Sequence, residues 1–350
     1  MTPRDNFLKA ANFEYPDYIP MSFGINGACW NHYPHEELYD LIEEHKFLFP
    51  GFVRPLKRFV PEFHPIAKKG VPFKDDWGCI WETYDDGITG TVTVHPLDSW
   101  DKFSDYKAPD PGKVMGIGPV DWEKEKEAIN RARLKGDLIF RGLRHGHTFL
   151  QLCDIRGYEN LLYDMIDDEP RLKLLINMVE EFNLAIVKKY LDMGVDVIGF
   201  AEDLGMQKGP MISPELFRKY IKPSYERLMA PVKDYDTIIH MHSDGDIRLL
   251  IDDLIDKGVR IINIQDLVNG IDWIAEHLSG KVCVELDIDR QAITAHGTPE
   301  QIDELIREEV QKLGSRQGGL MMIYGLYPGV PIRNVKAIMD AMEKYAFYYS

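Results

Sequence analysis

Two histidines stand two residues apart, His240 and His242, in the stretch Thr237-Ile-Ile-His-Met-His-Ser-Asp-Gly245. The run from Thr237 to Met241 reads as a buried strand, and on an extended chain residues i and i+2 face the same side. Two imidazoles on one face can share a metal or a proton. The Ser-Asp-Gly that follows is turn chemistry, so the pair is expected where a strand meets a loop. Acidic residues recur at matching places in neighbouring segments. Glu202 and Asp203 follow the strand that ends at Phe200, and Gln265 and Asp266 end another. Glu285, Asp287 and Asp289 alternate along one strand and so share a face, and Tyr324 ends the last. Two histidines with a carboxylate form a ligand set for zinc with an open position. His240, His242, Glu202 and Glu285 are the candidate ligands. Asp287, Tyr324 and Asp203 are the candidate catalytic groups, because an inward Asp287 is costly unless it is paired or used. Trp30, His147 and Gln265 are the candidate substrate contacts. Each has a plainer reading. A carboxylate just after a strand often caps a helix, which fits Asp203, Asp266 and Asp289 equally well. Arg144-His145-Gly146-His147 can reach the same mouth or be an ordinary loop.

The elements that must position these residues alternate from residue 138 onward. Short apolar strands are expected at Leu138–Gly142, Asp196–Phe200, Thr237–Met241, Arg260–Ile264, Lys281–Leu286 and Gly319–Tyr324. Helical patterns lie between them: Glu159–Met193 with a break at Pro170, Ser213–Lys233, Asp246–Lys257, Ile271–Leu278, Pro299–Leu313 and Val335–Tyr345. Ser213-Pro-Glu and Thr298-Pro-Glu are helix starts, and Gly194 and Gly258 are helix stops. Strands alternating with helices argue for a parallel sheet. The fold class expected is α/β, a (β/α)8 TIM barrel, with a strand near Ile19–Gly24 as its seventh recognisable member. An open doubly wound sheet is the alternative. Residues 1–135 form an aromatic-rich N-terminal elaboration and 136–350 the main βα repeats of a single domain. Within the elaboration, Trp77–Tyr84 and Gly90–His95 flank Asp85-Asp-Gly, a hairpin signal.

Composition narrows the partners. The 350 residues carry 57 acidic and 41 basic side chains, a net charge of −16, which disfavours nucleic acid and anionic membranes. Four scattered cysteines (Cys29, Cys79, Cys153, Cys283) lack CxxC spacing and argue for a reducing compartment. No apolar run reaches membrane-spanning length and the N-terminus lacks a signal-peptide core, so a cytoplasmic location is expected. Thr2 and Pro3 read as the start of a first helix. No GxGxxG or P-loop follows a strand, so nothing supports a nucleotide cofactor.

Several stretches resemble the uroporphyrinogen decarboxylase superfamily. They are Gly194–Gly205, Met211–Pro223, His240–Gly245, Gly297–Glu300 and Pro331–Ala337, in consistent order. The resemblance implies a (β/α)8 barrel and one of two chemistries: cofactor-free decarboxylation of uroporphyrinogen, or zinc-dependent methyl transfer to or from a corrinoid. True decarboxylases carry an Arg-Gln-Ala-Gly-Arg run near the N-terminus that binds the substrate's carboxylates. Here Met21–Trp30 has no arginine. The methyltransferases carry His-x-Cys and a later Cys. Here His240 matches the histidine, His242 takes the place of the first cysteine, and no cysteine lies in Tyr324–Gly329. A ligand set without thiolates suits a metal acting on an ether oxygen. The resemblance therefore implies a zinc-dependent methyltransferase of O-demethylase type. It would move a methyl group from a small methoxylated or methylated donor to a corrinoid on a separate protein. A decarboxylase, or a non-catalytic ligand-binding barrel, is the alternative.

Overall fold

A computed structural model describes residues 1–350 of the chain. It contains two compact units. The first comprises Met1–Gly70, Thr83–Thr89 and Asn263–Ser350, and the second Val71–Glu82 and Gly90–Ile262. The two units interleave in sequence.

Seven strands form the main sheet: β1 (Met21–Ile25), β2 (Phe140–Gly142), β3 (Val197–Asp203), β4 (Ile238–Asp244), β5 (Val259–Gln265), β6 (Cys283–Asp287) and β7 (Leu320–Leu326). Their order is β1-β7-β6-β5-β4-β3-β2. The pairs β1–β7, β6–β7, β2–β3 and β3–β4 are parallel. From β2 to β7 each strand lies beside its neighbour in sequence, and the first strand lies beside the last, with β1 and β2 at the two ends of the order. A doubly wound sheet reverses direction part way along its order, whereas a barrel winds one way and brings its first and last strands together. The order is that of a (β/α)8-type α/β fold, and the doubly wound alternative is set aside. Seven strands are hydrogen-bonded in this ladder.

Most element ends fall where local chemistry puts them. Thr2 caps the helix Pro3–Asn12 by accepting from the Asp5 amide. Thr298 and Gln301 make a reciprocal capping box on Pro299–Leu313. Gly194 and Gly258 have φ of 71° and 92°, as helix-ending glycines do. The aromatic hairpin is present, Ile80–Glu82 antiparallel to Thr91–Val94, with Phe73–Lys74 on its other side.

Three departures bear on the site. β3 and β4 run three residues further than their apolar runs suggested, with Glu202 beside Ser243 and Asp203 beside Asp244. Ser243 does not turn the chain; its hydroxyl accepts from the Leu204 amide, and the turn is made by Gly245 at φ 80°. Only Ile251–Ile255 is α-helical of the expected Asp246–Lys257. The Asp246 amide instead bonds the Met206 carbonyl, and its carboxylate takes the Arg248 side chain, which keeps this stretch out of the helix. The Ser213–Lys233 run is interrupted by a wide π-type turn at Phe217–Ile221. Pro223 has no amide hydrogen to continue the α pattern, and the wider turn absorbs the loss.

Candidate metal centre

Three side chains in the second unit bring one donor atom each to a common place: His145, Asp203 and His242. Their donor atoms all lie within 4.8 Å of one another. His145 Nε2 is 3.1 Å from Asp203 Oδ1, and His242 Nε2 is 3.5 Å from the same oxygen. The two rings face each other at 5.6 Å between centroids. Donors at zinc distances on a tetrahedron lie about 3.3 Å apart, from metal–ligand bonds of roughly 2.0–2.1 Å. Two imidazole nitrogens and one carboxylate oxygen at this spacing fit a divalent ion that keeps a position open. His145 is exposed and the other two are half-buried, so the group is reachable by solvent.

The backbone explains the convergence. On the parallel ladder His242 lies beside Ala201, and Asp203 follows on the same face of β3. Asp203 Oδ1 also accepts from the Asp244 amide at 3.3 Å. His145 comes from the loop after β2. The Gly146 amide bonds the Ala201 carbonyl at 2.8 Å, and Gly146 sits at φ 73°, where a side chain is strained. That turn sends His145 and His147 to different surroundings. Beyond the site the strand ends pass very closely. A Cβ on Gly205 would lie 2.5 Å from the Gly245 carbonyl carbon, and one on Gly245 would lie 2.2 Å from that of Gly205.

Glu202 points to the other side of β3 and is wholly buried. Its carboxylate accepts from the amides of Thr148 (2.6 Å), Phe149 (2.9 Å) and Leu150 (3.4 Å), and from the Tyr225 hydroxyl. It closes the N-terminus of the helix Phe149–Arg156, a favourable place for a carboxylate. Burial pushes Glu202 above the usual carboxyl value, and the Tyr225 hydroxyl and the two nearer amides pull the other way. For Asp203 burial also acts upward, but hydrogen bonds from His145 and His242 outweigh it and hold the carboxyl well below its ordinary value. Asp203 is therefore an anion wherever the imidazoles face it.

The remaining sequence candidates are placed as follows. His240 shares the face of His242 but is buried edge-on against Phe140 at 5.0 Å, and it is not among the three. His147 is buried, its Nδ1 2.6 Å from the Thr148 hydroxyl. Burial chiefly pushes its pKa down to about 3. The expected contact in this loop was His147, and the residue the loop offers to the group is His145. The signal available was Gly146: a glycine between two histidines breaks the alternation that would keep them on one face.

Glu285, Asp287, Tyr324, Gln265 and Trp30 belong to the first unit. Asp287 receives Arg290 at 2.6 Å. The Tyr324 hydroxyl donates to Thr294 at 3.2 Å, and burial pushes its pKa up to about 12. The Glu285 carbonyl accepts from Asn263, and the Gln265 carbonyl accepts from Asn269. Trp30 packs against Tyr39 and Phe59, each 5.2 Å away. Asp289 takes the plainer of its two readings: its carboxylate accepts from the amides of residues 291–294 and starts the next turn. Asp266 does the same for Leu267 and also accepts from the Asp289 amide.

The family model for uroporphyrinogen decarboxylase (URO-D) matches residues 75–345. No curated protein matches the chain. Among solved structures, a methyltransferase from Methanosarcina mazei superposes with a TM-score of 0.68 at 17% identity, covering 100% of each chain. Xylanase 10B from Thermotoga maritima gives a TM-score of 0.43 at 13% identity over 98% of each chain. A B12-independent methionine synthase from Shewanella sp. W3-18-1 gives 0.40 at 14% identity, over 66% of this chain and 68% of its own. The first of these likenesses extends along the whole chain and agrees with the strand order in showing the fold. With the family model spanning most of the sequence, the chain belongs to the uroporphyrinogen decarboxylase family.

Proposed function

We propose that this protein is a metal-dependent methyltransferase that moves a methyl group from a small methoxylated or methylated compound to a corrinoid carried by a separate protein. The observation that carries the reading is the His145–Asp203–His242 group, two nitrogen donors and one oxygen donor without a thiolate, close enough together to hold a divalent ion. Zinc is the proposed ion, and when bound it would supply Lewis-acid polarisation of the donor's oxygen. Asp203 faces both imidazole nitrogens through one oxygen, and with the ion bound it would be a third ligand that contributes the negative charge. Glu202, on the opposite side of the strand, keeps the loop bearing His145 in place. With a methoxylated donor, the carbon–oxygen bond would break as the methyl carbon bonds to the electron pair of Co(I) on the separate corrinoid protein, and the departing oxygen would take a proton from water. Membership of the family supports an enzyme of this kind, and the arginine-free Met21–Trp30 favours methyl transfer over decarboxylation of a polycarboxylate.

The test is direct. Purified protein is expected to hold about one zinc per chain. With methoxylated aromatics or methylated small molecules as donors, it is expected to convert Co(I) cobalamin to the methyl form, read from the visible spectrum. Absence of metal at saturating zinc, or decarboxylation of uroporphyrinogen with no methylation by any donor, would overturn the proposal.

A further inference from the structure

Arg144 precedes His145 in the chain, and its side chain is only 7% exposed. Its Nε donates to the His145 carbonyl at 3.1 Å, and its Nη2 donates to Asp154 at 3.0 Å. The guanidinium lies over the Trp81 ring, 5.6 Å from its centroid. It folds back over Gly146, where a Cβ would come within 3.8 Å of Nη2. Each support is itself held. The Trp81 indole donates to the buried Asp75 at 2.8 Å, whose other oxygen accepts from the Cys79 amide. The Asp154 carbonyl receives the Cys79 thiol at 3.3 Å and His95 Nδ1 at 2.7 Å. The aromatic hairpin thus ends in the residue beside a candidate ligand.

We infer that Arg144, clamped by Asp154 and the Trp81 ring, is a positioning residue for the His145 imidazole, and that the aromatic hairpin is the footing of the metal centre. This rests on the reading of His145 as a ligand. Arginine suits the task because its planar fork bonds a carbonyl and a carboxylate at once while stacking on an aromatic face, which lysine cannot reproduce. Partners bonded to a ligand's own side chain are typically worth about tenfold to a hundredfold in metal affinity, and Arg144, which acts through the His145 main chain, belongs at the tenfold end.

The experiment titrates Co(II) into the whole protein and reads the visible ligand-field bands, with thermal melting as a control. Wild type is expected to bind, and His145→Ala to lose most of its affinity. Arg144→Lys is expected to bind about tenfold more weakly, with altered bands and a melting temperature close to wild type. A lysine variant with wild-type affinity and spectrum overturns the inference and leaves the metal reading intact. Wild type that binds no Co(II), or a fully binding His145→Ala, overturns the metal reading and this inference with it. Should Arg144→Lys fail to fold, Asp154→Asn decides: weakened binding supports the clamp, and wild-type binding refutes it.

Discussion

Glu202 and Asp203 are adjacent carboxylates with opposite assignments, and substitution separates them. Glu202→Gln keeps the size but loses the charge that faces three amides and the Tyr225 hydroxyl. Leaving buried donors poorly matched costs about 1–3 kcal/mol. Urea denaturation should show a loss of that order, with zinc binding weakened through the loosened His145 loop but not abolished. Asp203→Asn should lose most of the zinc, and its urea midpoint should fall as well, because a carboxyl held below its ordinary value stabilises the folded chain. That Asp203 and His242 stand at the ends of adjacent strands was legible in the sequence. The sequence, however, reads Asp203 as a catalytic group and His242 as one ligand beside His240, Glu202 and Glu285, and none of those three belongs to the group of His145, Asp203 and His242. His145 was not singled out, since beyond the local turn at Gly146 its loop is fixed by the Gly146–Ala201 bond and the Glu202 cap, which act over about fifty residues of separation. The same reach explains Glu202, whose partners lie on another element.

At the scale of elements, the ends of β3 and β4 depend on two glycines that nearly touch. Gly245 needs a positive φ and has no room for a Cβ. Gly245→Ala should therefore destabilise the protein by about 2 kcal/mol or more, measured by thermal or urea unfolding, and should weaken zinc binding by displacing Asp203 and His242 together. The helix Pro299–Leu313 carries a different strain. Glu309 on it is wholly buried, and burial, reinforced by the facing Asp266 carboxyl, pushes its pKa well above the usual value. A folded pKa raised above the unfolded one means stability that is present at acid pH and lost as pH rises. Glu309→Gln removes that loss. Its stability relative to wild type should climb as pH rises above about 5, by no more than about 1.4 kcal/mol per unit. Local signals fixed the helix starts well: Thr2, Ser213 and Thr298 cap as expected. They failed over Asp246–Lys257, where a backbone bond to Met206 and the Asp246–Arg248 pair override the helical pattern.

For the molecule as a whole, the prediction concerns substrate charge. A chain of net charge −16 whose Met21–Trp30 contains no arginine is poorly equipped to hold a substrate with many carboxylates. Uroporphyrinogen should show no loss of carbon dioxide with this protein, measured by product analysis, while a neutral or singly charged methyl donor should methylate Co(I) cobalamin. The winding of the fold was legible because βα alternation is a repeated local signal. The interleaving of residues 83–89 with the first unit was not, since it depends on tertiary contacts far apart in sequence.

The alternation at the end of β3 bears on which changes a gene for this protein can tolerate. Removing one codon from within Val197–Ala201 would shift the following residues by one position and turn each to the opposite side. The carboxylate of Asp203 would then occupy the capping place under the helix Phe149–Arg156, and Glu202 would have moved away from it. The mouth would receive the apolar Leu204. Both acids would survive such a deletion, yet metal and loop would be lost at once. Length in this strand should accordingly be inherited more strictly than the identity of any one residue along it.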